Sequence, residues 1–202
     1  MLIKLYNENI NERVVRDVVK KLAAGAVMVY PTDTVYAIGC SIKSPKAIEK
    51  LQAIKHGKKV KDMAIACSDI TSIASYAKIN DITFSTIRKN LPGAFTFILN
   101  ASKRAPEKVL EGRSSIGVRI PDNSIALAII RELGCPIVTT SVDHINEHEE
   151  EYLTDPSLIE ENYPMVDFVI DGGIGENIPS TIVDCTGEDS PEIIRQGEAV
   201  LR

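Results

Sequence analysis

A short polar corner at Thr32, Asp33, Thr34 and Tyr36 sits between two apolar runs. Hydroxyls and backbone donors gathered at a strand end can hold a polar ligand, because α/β sheets bind their ligands in crevices at strand ends. An ordinary turn, with the same side chains satisfying only nearby backbone, fits the segment equally well. A second candidate begins at Lys55 and continues through His56, Lys58, Lys59 and Lys61. Such a cluster attracts phosphates as point charges, although solvated lysines also suit the end of a helix. Arg119 lies within Ile116-Gly117-Val118-Arg119-Ile120. A guanidinium in an apolar strand needs an anionic partner or a cleft, unless the strand's alternation turns it to solvent. Thr139-Thr140-Ser141 close a further apolar run, Ser180-Thr181 open another, and Arg195 follows Ile193-Ile194. Hydroxyls and guanidinium groups at several strand ends are what a nucleotide plus a carboxylate substrate requires. Donors hold phosphate, and the arginine fork takes a carboxylate.

Other chemistries lack their residues. No G-x-x-x-x-G-K-[ST] loop and no G-x-S-x-G elbow occurs. Gly173-Ile174-Gly175 follows an apolar run, but Ile178 stands where a dinucleotide fingerprint needs glycine, so a tight turn is expected there. His144-Ile145-Asn146-Glu147-His148 matches the inverted zinc-protease pattern. Glu149, Glu150 and Glu151 follow at once and no apolar stripe supports a helix, so a solvated acidic segment is the preferred reading and no protein-bound metal is expected.

The elements that must position these groups follow from periodicity. Strands are expected over 1–6, 26–30, 34–42, 63–67, 95–99, 116–120, 136–140, 166–170, 181–185 and 192–195. Asn11 caps a helix striped by Val14, Val15, Val18, Val19 and Leu22 and ended by Gly25. Ser44-Pro45 starts a helix carrying Ile48, Leu51 and Ile54, expected to stop near Gly57. Further helices are expected over 69–77, 81–91, 124–133 and 157–161, with a basic loop holding Lys103, Arg104, Lys108 and Arg113. Alternation that decays into consecutive strands predicts an α/β, α+β-like fold: one domain over 1–202 with a twisted, open mixed sheet and flanking helices.

With 44% hydrophobic and 25% charged residues the chain is globular in composition. A net charge of -5 and the absence of Trp argue against a global grip on nucleic acid or a stacking-driven strand binder. Cys40, Cys67, Cys135 and Cys185 form no C-x-x-C pair. Lys4, Glu8, Glu12 and Arg13 interrupt any early apolar run, and no run is long enough for a bilayer. A cytoplasmic protein with reduced, core cysteines and no membrane partner is expected.

Several segments, in order, carry a resemblance. They are Tyr30-Pro31-Thr32-Asp33-Thr34-Val35-Tyr36, Leu91-Pro92-Gly93 with Thr96-Phe97-Ile98-Leu99, and Ile116-Gly117-Val118-Arg119-Ile120-Pro121. Pro136-Ile137-Val138-Thr139-Thr140-Ser141, Val169-Ile170-Asp171-Gly172-Gly173, Ser180-Thr181-Ile182-Val183-Asp184 and Ile194-Arg195-Gln196-Gly197 continue the series. The chain resembles the YrdC/YciO-like threonylcarbamoyl-AMP synthase family. That resemblance implies a concave, locally positive sheet face and condensation of L-threonine, bicarbonate and ATP, with Mg2+ accompanying ATP, to threonylcarbamoyl-AMP and pyrophosphate. It serves tRNA adenosine modification, and double-stranded RNA or tRNA is an implied partner. A non-catalytic RNA- or nucleotide-binding protein is the alternative.

By position, the resemblance places Thr34, Tyr36, Arg119, Ser141, Ser180 and Thr181 around threonine. Thr32, Lys55, Lys58, Lys59, Thr140, Ser141 and Arg195 fall around ATP, and Lys55 and Arg119 are the catalytic candidates. The family's Lys-x-Arg is here Lys55-His56-Gly57, its histidine-bearing stretch is Met63-Ala64-Ile65-Ala66-Cys67, and Ala37 and Asp143 replace a glycine and an asparagine context. These departures resemble the YciO-like branch.

Overall fold

The computed structural model describes residues 1–55, 63–142, 153–187 and 191–202. The chain runs β1 (Leu2–Lys4), α1 (Glu12–Ala23), β2 (Val27–Tyr30), β3 (Ala37–Ser41), α2 (Pro45–Ile54) and β4 (Ala64–Ala66). It continues through α3 (Ile70–Tyr76), α4 (Asp81–Asn90), β5 (Phe95–Asn100), α5 (Glu107–Leu110) and β6 (Ser115–Arg119). Then come α6 (Ser124–Leu133), β7 (Ile137–Ser141), α7 (Pro156–Asn162), β8 (Phe168–Asp171), β9 (Thr181–Asp184) and β10 (Glu192–Arg195). The described strands form one mixed sheet in the order β1-β8-β2-β3-β7-β4-β6-β5-β9-β10.

Local chemistry starts and stops the helices where the sequence indicates. The Asn11 carboxamide accepts from the Arg13 and Val14 amides at the start of α1, and Ser44 caps α2 ahead of Pro45. Asn123 caps α6, which ends at Gly134 with φ +65°, a left-handed conformation that glycine adopts without steric penalty. Within the predicted α1 stripe, Val15, Val18 and Leu22 are buried, whereas Val14 and Val19 lie at the margin.

The register divides the sheet into two unlike faces. On one, Val27, Val29, Ile38, Ile65, Phe97 and Val138 join a core that also takes Ile48, Leu51, Ile73 and Ile87 from the helices. On the other, α1 and α6 cover Met28, Tyr30, Phe168 and Ile170. That cover stops partway across. Beyond it Gly39, Thr139, Ala64 and Gly117 form one paired row, and Gly117 continues to Ile98. On β5, Phe95, Phe97 and Leu99 are buried while Thr96, Ile98 and Asn100 are half-exposed. These small residues are themselves buried, yet they keep this part of the face low beside the half-exposed Thr96 and Ile98, which forms a hollow. The floor needs them: a Cβ on Gly39 would stand 2.5 Å from Ile137 Cγ2, and one on Gly117 would stand 3.0 Å from Ala64 Cβ.

Three sequence expectations need correction. The strand expected from residue 34 begins at Ala37, because Thr32 and Thr34 use their hydroxyls to hold a loop. The helix expected to stop near Gly57 ends at Ile54 with Lys55 as its cap, a boundary difference of a few residues. The supposed basic loop contains α5; there Lys108 pairs with Glu49, and Arg113 donates to the Leu110 and Val109 carbonyls at the helix end. His144 to His148 and Asp143 lie outside the described residues. No described helix is long and apolar enough to cross a membrane.

All four cysteines are free thiols and buried. Burial pushes Cys40 and Cys67 up to about 12. Iodoacetamide at pH 8 is therefore expected to spare Cys40 and Cys67 in the native protein and to modify both in denaturant, as peptide mass mapping would read. Both thiols titrate higher folded than unfolded, so their contribution to stability is full below pH 9. It fades between pH 9 and 12 as the unfolded chain ionises first.

Candidate functional site

The loop 31–36 bends over the uncovered face and is fixed by its own polar groups. Thr32 Oγ1 donates to the Val35 carbonyl at 2.8 Å and accepts from the Thr34 amide at 3.1 Å. The Asn123 carboxamide, which caps α6 through its oxygen, donates through its nitrogen to the Thr32 carbonyl. The same residue thus anchors a helix and the loop beside it.

Arg119, the last residue of β6, rises from the small-residue face and meets this loop. Its Nη2 donates to Asp33 Oδ1 at 2.6 Å and to Thr34 Oγ1 at 3.3 Å. The side chains of the pair are only 8% and 10% exposed. Yet Arg119 Nε and Asp33 Oδ2 are buried without a hydrogen-bond partner. An unpaired buried donor and acceptor each carry a desolvation penalty of about 1–3 kcal/mol. A ligand offering one acceptor and one donor would relieve both.

Neighbouring strands extend the hollow. Thr96 lies one residue before the Phe97–Val118 pair of the β5–β6 ladder, and its hydroxyl shares a hydrogen bond of 3.0 Å with Ser180 Oγ at the entrance to β9. The Arg195 guanidinium, at the end of β10, reaches the Ser180 carbonyl through Nη2 at 2.9 Å. On the opposite side Ser141 pairs with Ala37, and Lys55 Nζ donates to the Ser141 carbonyl at 3.0 Å. Tyr30 crosses above Gly39 to donate to Thr139 Oγ1 at 2.8 Å. Thr34, Arg119, Ser141, Ser180 and Arg195 therefore border one sheet face, with Lys55 at its rim.

Besides Thr32, whose hydroxyl holds the loop, three residues expected at the ligand are used elsewhere. Thr181 stands on the other face of β9; it donates to the Ala199 carbonyl and accepts from the Gly197 amide. Thr140 pairs with Ile38 and so faces the far core, while Thr139 takes the position over the hollow. Tyr36 donates to the Gly173 carbonyl and accepts from the Gly172 amide, with its hydroxyl pushed up to about 12, chiefly by burial. In each case the two-residue period of the strand or a backbone latch decides the matter. Tyr36→Phe is expected to lose about 1–3 kcal/mol in urea melts through the orphaned Gly172 amide. Lys58, Lys59 and Gly57 lie outside the described residues, and Cys67 is fully buried with no outlook onto the hollow.

Sequence reasoning named Thr139 among the strand-end hydroxyls but assigned it no ligand, and it passed over Thr96 and Asn123 as site-forming residues. Asn123 alone carried a usable signal, as an asparagine directly before an apolar-periodic helix.

Fold and site together define an α/β protein with a half-covered mixed sheet, whose open face gathers hydroxyls and two guanidinium groups around a polar hollow. The chain belongs to the Sua5/YciO/YrdC family, whose model, described as "Telomere recombination", matches residues 20–197. YciO of Escherichia coli is 33% identical over 195 residues, spanning 96% of this chain and 93% of that protein. Its crystal structure superposes with a TM-score of 0.89 over 98% of this chain and 95% of that one. A Methanocaldococcus jannaschii protein described as "Putative threonylcarbamoyl-AMP synthase" is 34% identical over 199 residues, 97% of this chain and 92% of that protein. P. abyssi Sua5, crystallised with L-threonine, shares the fold with a TM-score of 0.86 at 24% identity, over 98% of this chain and 57% of the longer relative.

Proposed function

We propose that this chain condenses L-threonine, bicarbonate and ATP to threonylcarbamoyl-AMP and pyrophosphate, a step toward a modified tRNA adenosine. The observation that carries the reading is the buried Arg119–Asp33 pair, whose Nε and Oδ2 have no hydrogen-bond partner, at the end of a strand whose neighbours on the same face are small. An amino acid supplies both complements: its carboxylate accepts from the guanidinium, and its amino group donates to Asp33. Further support comes from family membership and from the relative crystallised with L-threonine.

The chemistry asks for no protein nucleophile. The threonine amine takes up bicarbonate with loss of water, forming a carbamate. A carbamate oxygen attacks the α-phosphorus, the bond from that phosphorus to the bridging oxygen breaks, and pyrophosphate leaves. Thr34 and Arg119 hold the amino acid. Ser141 and Ser180 offer hydroxyls between it and the nucleotide, and Lys55 and Arg195 lie toward the phosphate and nucleotide sides. Mg2+ accompanying ATP would supply positive charge against the departing pyrophosphate. Positioning and charge stabilisation supply the rate.

The test is pyrophosphate release by the purified chain, measured with each substrate omitted in turn. Release that needs threonine and bicarbonate together with ATP is the expected result. Lys55→Ala is expected to lower that rate about 10–100-fold, with a smaller loss for Lys55→Arg, by removing one charge from the phosphate side. ATP hydrolysis indifferent to threonine and bicarbonate, or no release at all, would remove the synthase reading.

A binding protein without turnover is less well supported. Of the four basic-loop cations that could meet RNA phosphates, Lys108 and Arg113 have internal partners.

A further inference from the structure

A second cavity, of about 460 Å3, opens at the rim between α3, the end of α6 and the start of β7. It shares no lining residue with the hollow around Arg119. Its walls bring together Lys43, Arg104 and Arg131 with the hydroxyl-bearing Ser68, Ser72 and Tyr76. The three cations come from segments far apart in the chain: the turn after β3, the segment between β5 and α5, and the last turn of α6. None of their side chains makes an ion pair or hydrogen bond within the described residues.

That concentration runs against the charge of the whole chain, which is -5. Three like charges around one concavity, with no ion-pair partner among the described residues, leave a net positive site that favours an anion. The acidic group in the wall, Asp69, offsets at most one of the three charges, through its field on Arg131, and makes no ion pair with any of them. Its Oδ1 accepts the Ser72 amide as the cap of α3, and its Oδ2 accepts the Ser68 hydroxyl, both at 2.7 Å. Those two bonds, more than the nearby Arg131, hold its carboxyl below the usual range. Tyr76 adds a half-buried aromatic wall. The volume falls within the usual span for small-ligand pockets, about 300–1,000 Å3. Two arginine forks and a lysine match the oxygens of a phosphoryl group.

We propose that this rim cavity binds a phosphate-bearing small molecule of about mononucleotide size, at a place separate from the Arg119 hollow. Arg104 and Arg131 clamp the phosphoryl oxygens, Lys43 adds a third charge, and the Tyr76 ring flanks the organic part. This does not depend on the synthase reading, because none of its residues serves that reaction.

Amide chemical-shift mapping tests it, with inorganic phosphate, AMP and a short RNA duplex as separate probes at low salt. The expected result is saturable shifts at Ser68, Ser72 and Gly134 with phosphate and AMP, tighter for AMP and weakened by added salt. Arg104→Ala combined with Arg131→Ala is expected to weaken AMP at these amides at least about tenfold. Both residues are exposed, so unchanged spectra elsewhere show that the variant folds. Shifts confined to Thr34, Ser141 and Ser180 would overturn the proposal. So would rim shifts produced by the RNA duplex alone, or rim shifts untouched by the double substitution.

Discussion

Arg119→Ala is expected to abolish threonine-dependent pyrophosphate release, by at least about 10²–10³-fold, and to destabilise the fold by about 3–5 kcal/mol. Both effects arise from one geometry. The substitution leaves the Asp33 carboxylate, only 10% exposed, without the guanidinium that neutralises it. It also removes the donor that reaches Thr34 and the buried, unpartnered Nε. The two contributions separate in the double variant Arg119→Ala with Asp33→Asn. Removing the stranded charge returns much of the stability, read in urea melts, while threonine binding, read by calorimetry, stays lost. A folded double variant that binds threonine as the parent does would show that Arg119 serves the fold alone.

The second large effect is expected from the smallest possible change, Gly197→Ala. A Cβ there would fall inside the contact distance of the Pro179 carbonyl oxygen and 2.6 Å from that of Ser180. These are backbone atoms, so nothing flexible can give way. The 197–199 segment must move, and with it the latch in which Thr181 holds the Gly197 amide and the Ala199 carbonyl. Overpacking of this kind costs about 1–3 kcal/mol. Because Arg195 and Ser180 stand at the same junction, weaker ATP binding is expected alongside the lower melting temperature. Val200→Ala, at a residue 76% exposed, provides the neutral comparison. Equal melting temperatures for the two variants would refute the steric account.

Much of the architecture was legible along the chain because helix caps and strand periods are local. Asn11, Ser44-Pro45 and Gly134 mark helix ends through bonds to residues within one turn. The apolar run at Val27–Tyr30 is buried on both faces, as continuous hydrophobicity implies. The basic loop misled because a list of charges does not show their partners. Lys108 finds Glu49, nearly sixty residues earlier, and Arg113 turns back to a helix end.

The candidate site divides the same way. Residue types and spacing already placed hydroxyls and arginines at strand ends, and pointed to Arg119 as needing an anion or a cleft. Which member of each pair faces the hollow was decided by the tertiary register. A shift of one residue reverses a strand's faces, so Thr139 rather than Thr140, and Ser180 rather than Thr181, borders the open side. Burial of Arg119 against Asp33, the unpaired atoms left beside them and the meeting of Lys43, Arg104 and Arg131 at the rim all depend on segments remote in sequence. Local preferences act over a few residues, whereas a binding hollow is made by long-range packing that brings distant segments within bonding distance. Sequence alone determined the family pattern and its polar inventory; the folded sheet decided which of those groups meet.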